Sequence, residues 1–303
     1  HSVTGSRNWD WNELGLNSSN ASIGARKPAM TSGTAVIVTA AVILGLIVGS
    51  FLNVVAHRLP RGQSLVRPPS ACPHCGNRIR PWHNIPVVSY LVLRGRCRSC
   101  GASIDRHYPL TEAATGLVSG VTAGTVGLTP FLLPALIFSW TLIALTRIDL
   151  DLQLLPDRLT LPLAGLGLGL SLLGLWVPGL IGWHGTGLPP PLGSLLGLAL
   201  GYGLLFAAGW AYAAATGREG LGGGDLKLLG ALGAWVGPVA VLLALFVAAL
   251  MGSLIGGLVI LFRGGDRHLA IPFGPFLAAG GWILLLWKDT VIQWYFGLSG
   301  LSG

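Results

Sequence analysis

Long stretches with almost no charged side chains dominate this chain and leave it few possible folds. Residues 34–56, 109–128, 131–146, 159–177, 192–215, 225–236, 239–262 and 273–287 are built mainly from Leu, Val, Ala, Gly and Ile. About 20 apolar residues of helix cross a bilayer core. Only 10% of the residues are charged, against roughly 25% in soluble domains, and 52% are apolar. The expected fold is therefore an all-α polytopic membrane protein with about eight transmembrane helices, not a soluble domain with a large core. Residues 1–33 are polar, rich in Asn and Ser and without periodicity, and read as a disordered tail. The chain does not begin with Met, so a truncated or processed start is expected.

Residues 57–108 are different in kind. They hold nine of the nineteen Lys and Arg residues, all of them Arg, one acid (Asp105) and all four cysteines. Cys72-Pro73-His74-Cys75 and Cys97-Arg98-Ser99-Cys100 make two CxxC knuckles separated by 21 residues. That spacing points to a small zinc-ribbon-like insertion between helices 1 and 2, with Zn²⁺ on Cys72, Cys75, Cys97 and Cys100. A pair of disulfides is the alternative. The arginines oppose it, since short Arg-rich loops stay on the cytoplasmic, reducing side. Four thiolates leave no open position, so the metal would be structural. With little core of its own, the loop would draw much of its folding energy from the metal. Its charge also suits anionic lipid head groups, and membrane lipid rather than nucleic acid is the expected partner.

Orientation follows from charge. With the cysteine loop cytoplasmic, helix 1 runs inward and the loops at 147–158, 216–225 and 263–270 share that side; each carries Arg. The opposite loops at 129–130, 178–191 and 237–238 carry no Lys or Arg. The positive-inside rule then agrees at every turn and puts both termini outside.

Two acids stand out against this apolar background. Asp225 follows Gly222-Gly223-Gly224 at the start of a hydrophobic run, and Asp149 lies in Arg147-Ile148-Asp149-Leu150-Asp151 at the end of helix 3. An ionisable residue at the membrane is costly unless solvated or paired, and points to function. The glycines admit torsions closed to other residues and let another chain come close; a flexible turn with Asp225 as helix N-cap is the plainer alternative. The topology sets Asp149 and Asp225 at one face and similar depth. Two carboxylates there share one proton: the ionised one activates water and the protonated one polarises a carbonyl. Asp151 would face elsewhere on a helix. Asp157, after Pro156, reads as a helix N-cap. Asn53 reads as an interhelical hydrogen-bonding residue, and Gly45 and Gly49 are spaced for close helix packing. Gly165, Gly167 and Gly169 read as packing glycines too, since no strand precedes them as a dinucleotide loop requires.

Taken together, the motifs resemble those of bacterial type IV prepilin peptidases, in the GxGD group of intramembrane aspartic proteases. The match runs in order through Gly49-Ser50-Phe51-Leu52-Asn53 with Arg58-Leu59-Pro60, the paired CxxC knuckles, Ile148-Asp149-Leu150-Asp151 with Leu154-Leu155-Pro156-Asp157, and Gly222-Gly223-Gly224-Asp225-Leu226-Lys227. It covers about residues 34–290, with 109–296 as the membrane peptidase core and 297–303 as a C-terminal tail. The resemblance implies cleavage of prepilin and pseudopilin leaders at the cytoplasmic face of the inner membrane. Methylation of the new N-terminus with S-adenosylmethionine would follow. It implies Asp149 and Asp225 as the catalytic pair, with Asp151, Asp157, Lys227 and Glu112 as supporting residues. No donor-binding motif is visible; the cysteine loop is the expected place for the donor, and Glu112 beside it either orients the amine or simply favours the helix dipole. The GxGD middle position is Gly223.

Leaders of this family are basic, like the 57–108 loop, so Glu219, Asp151, Asp157 or Asp266 would meet the leader instead. Two other readings stay open: a peptidase without methyltransferase activity, and an ion-coupled transporter using Asp149 and Asp225 as ion ligands. The cysteine loop favours the bifunctional reading, because the smaller archaeal relatives generally lack it.

Overall fold

The computed structural model describes residues 32–176, 188–217, 222–263 and 272–298. Residues 1–31 of the tail expected over 1–33, most of the loop at 178–191, Glu219, Asp266 and residues 299–303 lie outside the described residues, while Ser32 and Gly33 begin the first helix and Gly297 and Leu298 end the last described one. Each apolar run forms a helix. These are α1 (Ser32–Arg58), α3 (His107–Val126), α4 (Leu132–Leu152), α5 (Asp157–Trp176), α6 (Pro191–Thr216), α7 (Gly223–Val236), α8 (Pro238–Arg263) and α9 (Gly274–Leu298). A short α2 (Val88–Val92) and a 3-10 turn (Pro81–His83) lie inside the cysteine loop. Among the described residues the only β pairing is two isolated bridges.

Six of the eight long helices have the length and apolarity to cross a membrane: α1, α4, α5, α6, α8 and α9. Helix α7 has 14 residues, about 21 Å at 1.5 Å per residue. It is instead wrapped by protein: every residue from Leu228 to Val236 is buried. Helix α3 carries a polar stripe, Thr111, Thr115, Ser119 and Thr122, all buried. The first three hydroxyls bond the carbonyl one turn back, at 2.7–2.9 Å, so the stripe lowers the hydropathy without leaving an orphan donor.

Small residues set the helix spacing. A Cβ on Gly49 would sit 2.8 Å from Glu112 Cα, and one on Gly45 would strike Ser119; α1 and α3 meet there as the spacing predicts. Asn53 is buried and donates to the Tyr108 carbonyl on α3 at 3.2 Å, an interhelical bond. Between α6 and α7, Gly197 and Gly233 touch backbone to backbone, and a Cβ on Gly201 would lie 2.5 Å from the Leu229 carbonyl. Ser194 donates to the Ala234 carbonyl at 2.6 Å across the same seam. Of the three alternating glycines in α5, only Gly167 is a packing glycine: its Cβ would reach Trp235 at 2.7 Å, whereas Gly165 and Gly169 face open space. Trp235, fully buried, donates to the Leu163 carbonyl at 2.8 Å and packs on Phe138 with ring centroids 4.7 Å apart. These contacts lock α7 into the centre of the core.

Candidate active site and metal centre

The end of α4 and the starts of α5, α7 and α9 meet on one side of the bundle. Helix α4 runs on to Leu152, past the expected end at 146, so Ile148 and Asp149 are helical and buried. Asp149 is 5% exposed. The helix closes at Gln153, whose left-handed backbone (φ 51°) sends its N–H to the Asp149 carbonyl at 2.9 Å. The chain then turns through Leu155-Pro156 into α5. Leu155 is buried and wedges between the starts of α7 and α9: a Cβ on Gly224 would lie 2.8 Å from Leu155 Cβ, and one on Gly274 would lie 3.3 Å from Leu155 Cδ2.

Helix α7 opens on Gly222 as N-cap, with Asp225 in its first turn. The Asp225 N–H donates to the Gly222 carbonyl at 3.1 Å. The three glycines are unequal. Gly224 is needed for the close approach of Leu155, whereas a Cβ on Gly223 would meet nothing within 4 Å. None of the three has a positive φ, so close approach at Gly224, not special torsion, is what the fold requires of the motif. Asp225 is half-buried and lies within reach of the Asp149 charge. The pair expected from topology is therefore brought together from two helices.

Asp149 has a further partner that the residues did not announce. The Gly274 backbone N–H, at the start of α9, donates to Asp149 Oδ2 at 3.0 Å within the buried interior. The only sign of it in the sequence is the Pro272-Phe273-Gly274-Pro275 punctuation that starts α9.

The other acids have partners of their own. Asp151, exposed on α4, pairs with Arg147 one turn earlier. Asp157 is the first residue of α5, and both its oxygens accept from Lys227 Nζ, at 2.7 and 2.8 Å. Both candidate leader-binding acids within the described residues thus already have a cationic partner. Glu112 is buried on α3. It accepts the Val87 N–H at 2.7 Å and a hydrogen bond from Ser50, so it ties the cysteine loop to α1 and α3. Val87 stands at φ 61°, costly for a β-branched residue.

In the cysteine loop the two knuckles repeat one another. The Gly76 N–H bonds the Cys72 carbonyl at 2.9 Å, and the Gly101 N–H bonds the Cys97 carbonyl at 2.9 Å. Both glycines have positive φ, 69° and 73°, a torsion glycine adopts without a Cβ penalty. All four cysteines are free thiols, and their Sγ atoms lie within 4.8 Å of one another. The backbone N–H groups of Cys100 and Ser99 hold the Cys97 thiol down, to about 6. A cleft of about 530 Å³ separates the loop from α1; Ser50, Arg58, Ser70 and Asn84 are its polar walls.

Residues 136–257 match the type IV leader peptidase family, and residues 43–126 match the bacterial peptidase A24 N-terminal domain. A prepilin leader peptidase/N-methyltransferase of Pseudomonas aeruginosa is 42% identical, over 86% of this chain and 94% of its own length. The chain belongs to the type IV leader peptidase family. Members of the same description from Aeromonas salmonicida and Neisseria gonorrhoeae are 43% and 40% identical, each over 84% of this chain and 91% and 93% of their own. No solved structure matches the chain. The first family segment ends before α4 and the second begins within it, so Asp149 and Asp225 both fall in the leader peptidase segment and the four cysteines in the N-terminal one.

Proposed function

We infer that this chain is a membrane-embedded aspartic endopeptidase. It removes the leader of type IV prepilins and pseudopilins, then N-methylates the new N-terminus with S-adenosylmethionine as donor. The observation that carries the reading is that Leu155 packs against Gly224, the residue before Asp225, and against Gly274, whose N–H bonds Asp149, so that both acids stand at one end of the bundle. In the proposed reaction the ionised carboxylate takes a proton from water as the water oxygen bonds the scissile carbonyl carbon. The protonated carboxyl gives its proton to the carbonyl oxygen. As the resulting diol collapses, one of its hydroxyls returns a proton to the carboxylate that gave one, the C–N bond breaks, and the proton taken from water goes to the leaving nitrogen.

Zinc fits the four thiols. Zn–S bonds of about 2.3 Å in a tetrahedron place sulfurs about 3.8 Å apart, and Cys72 and Cys100 Sγ stand 3.9 Å apart. Cys72, Cys75, Cys97 and Cys100 would hold the ion, which would fasten the two knuckles together and supply folding energy. The cysteine loop is the proposed seat of the methyl donor, and the cleft against α1 falls in the size range of small-molecule sites. The proposed setting is the bacterial inner membrane, with the peptidase pair at the cytoplasmic face and both termini outside. The arginine bias of the loops supports that orientation.

The test is purified protein with a prepilin, with and without S-adenosylmethionine. Cleavage should need no donor, and methylation should need both donor and prior cleavage. Asp149→Asn and Asp225→Asn should each abolish cleavage while the protein still inserts. Near-normal cleavage by either variant rejects the pair, and a transporter using it as ion ligands would cleave nothing at all.

A further inference from the structure

The start of α9 explains why Asp149 has its particular surroundings. The first four N–H groups of a helix have no partner within it. In α9 the first belongs to Gly274 and the second is absent, because Pro275 has no N–H. The next two, of Phe276 and Leu277, both bond the Phe273 carbonyl, at 3.1 and 3.2 Å. One buried donor is left over, and it meets Asp149 Oδ2 at 3.0 Å. The position also excludes a side chain: a Cβ on Gly274 would lie 2.6 Å from Oδ2 and 3.1 Å from Cγ of the same aspartate. A backbone N–H at a helix N-terminus favours a negative acceptor.

We propose that Gly274 is a positioning residue of the peptidase: its N–H and its missing side chain hold Asp149 Oδ2 as the ionised, water-activating oxygen of the pair. This rests on the aspartic-peptidase reading and adds the division of labour within it. Asp149 takes the proton from water, and Asp225, its neighbour, carries the proton that goes to the carbonyl oxygen. Helix α9 is then the third element of the site.

The test compares two alanines on α9. Gly274→Ala puts a methyl against Asp149. Gly280→Ala meets the Ala244 carbonyl at 2.7 Å on α8, in the same helix but away from the aspartates. Cleavage of a prepilin and methylation of a pre-cleaved pilin are read on one preparation of each. Displacing a catalytic group by about 1 Å costs on the order of 100-fold. Gly274→Ala should therefore lose at least about 100-fold in kcat for cleavage, with KM within about twofold and methylation unchanged. Gly280→Ala should lower both activities in step, as a packing defect does.

A backbone ester at 274, installed as the α-hydroxy acid, removes the donor without adding atoms. It should cost cleavage at least about tenfold and move the acid limb of the pH–rate profile to higher pH. Should the alanine variant fail to accumulate, the ester alone decides. Cleavage within threefold of the parent in the ester variant, or parallel loss of both activities in Gly274→Ala, overturns the role of Gly274. Asp149→Asn run alongside separates the two ideas: cleavage retained there ends the aspartic pair itself.

Discussion

Both carboxylate oxygens of Asp157 accept from the Lys227 ammonium, at 2.7 and 2.8 Å, and so tie the first turn of α5 to the first turn of α7 two residues beyond Asp225. The pair is partly exposed on both sides, so its worth to global stability is only about 0.2–1 kcal/mol. Its value is local: it fixes where α7 begins. Lys227→Met should reduce cleavage several-fold, leave the melting temperature within a few degrees and spare methylation. Exchange of the charges in Asp157→Lys with Lys227→Asp should recover part of the loss. Cleavage kinetics of the singles and the double give the coupling; no recovery in the double would mean that Lys227 acts otherwise.

Glu112 is placed to hold the cysteine loop against α1 and α3. Removing its carboxylate in Glu112→Ala leaves the partly buried Val87 N–H without its acceptor, at a cost of about 0.5–1.5 kcal/mol. Hydrogen exchange over residues 85–93 should rise and methylation should fall more than cleavage. Glu112→Gln keeps an acceptor and should restore most of the protection. If the Gln variant keeps the protection yet still loses methylation, the charge itself serves the transfer.

The metal and the proteolysis should come apart. Cys72→Ser with Cys75→Ser should lose one bound Zn²⁺ per chain and weaken methylation more than cleavage. Metal content and both activities on one preparation measure this. Cleavage that falls in strict proportion to zinc, and returns with it, would make the ion part of the peptidase.

Where Gly197 meets Gly233, the α6–α7 seam has no room for a Cβ. Gly233→Ala pushes a methyl into the Gly197 backbone, and overpacking of this kind costs about 1–3 kcal/mol. Thermal stability should drop and both activities with it. Gly165→Ala, which faces open space in α5, should be silent. Equal melting temperatures for the two variants would contradict the packing described here.

How much of this was legible in the residues depends on the kind of interaction. The eight long helices stand where the apolar runs place them, because burying a run of that length leaves little choice. Asp149 and Asp225 were visible because a carboxylate is costly there, and the thiols because two knuckles of fixed spacing can close one site. Gly274 was not visible as a partner: its contribution is a backbone N–H, which every residue but proline possesses. Leu155 was hidden among dozens of apolar residues, although it touches both Gly224 and Gly274. The Asp157–Lys227 pair joins positions 70 residues apart, and a lone acid before a helix reads locally as a cap. Helix α7 is too short to pass for a span by length, and its burial depends on five neighbours that no single stretch reveals.

The bond between Asp149 and Gly274 spans 125 positions of chain, and that separation sets an order of events during synthesis. A ribosome that has delivered α4 through α8 has delivered both aspartates but not the donor that holds one of them. With Gly274 in its proposed role, proteolytic competence should arrive only with α9, so that a half-made chain should not attack prepilins entering the membrane beside it. Nascent chains arrested before residue 272 should carry Asp149 and Asp225 and cleave nothing, and release of the remaining residues should switch them on.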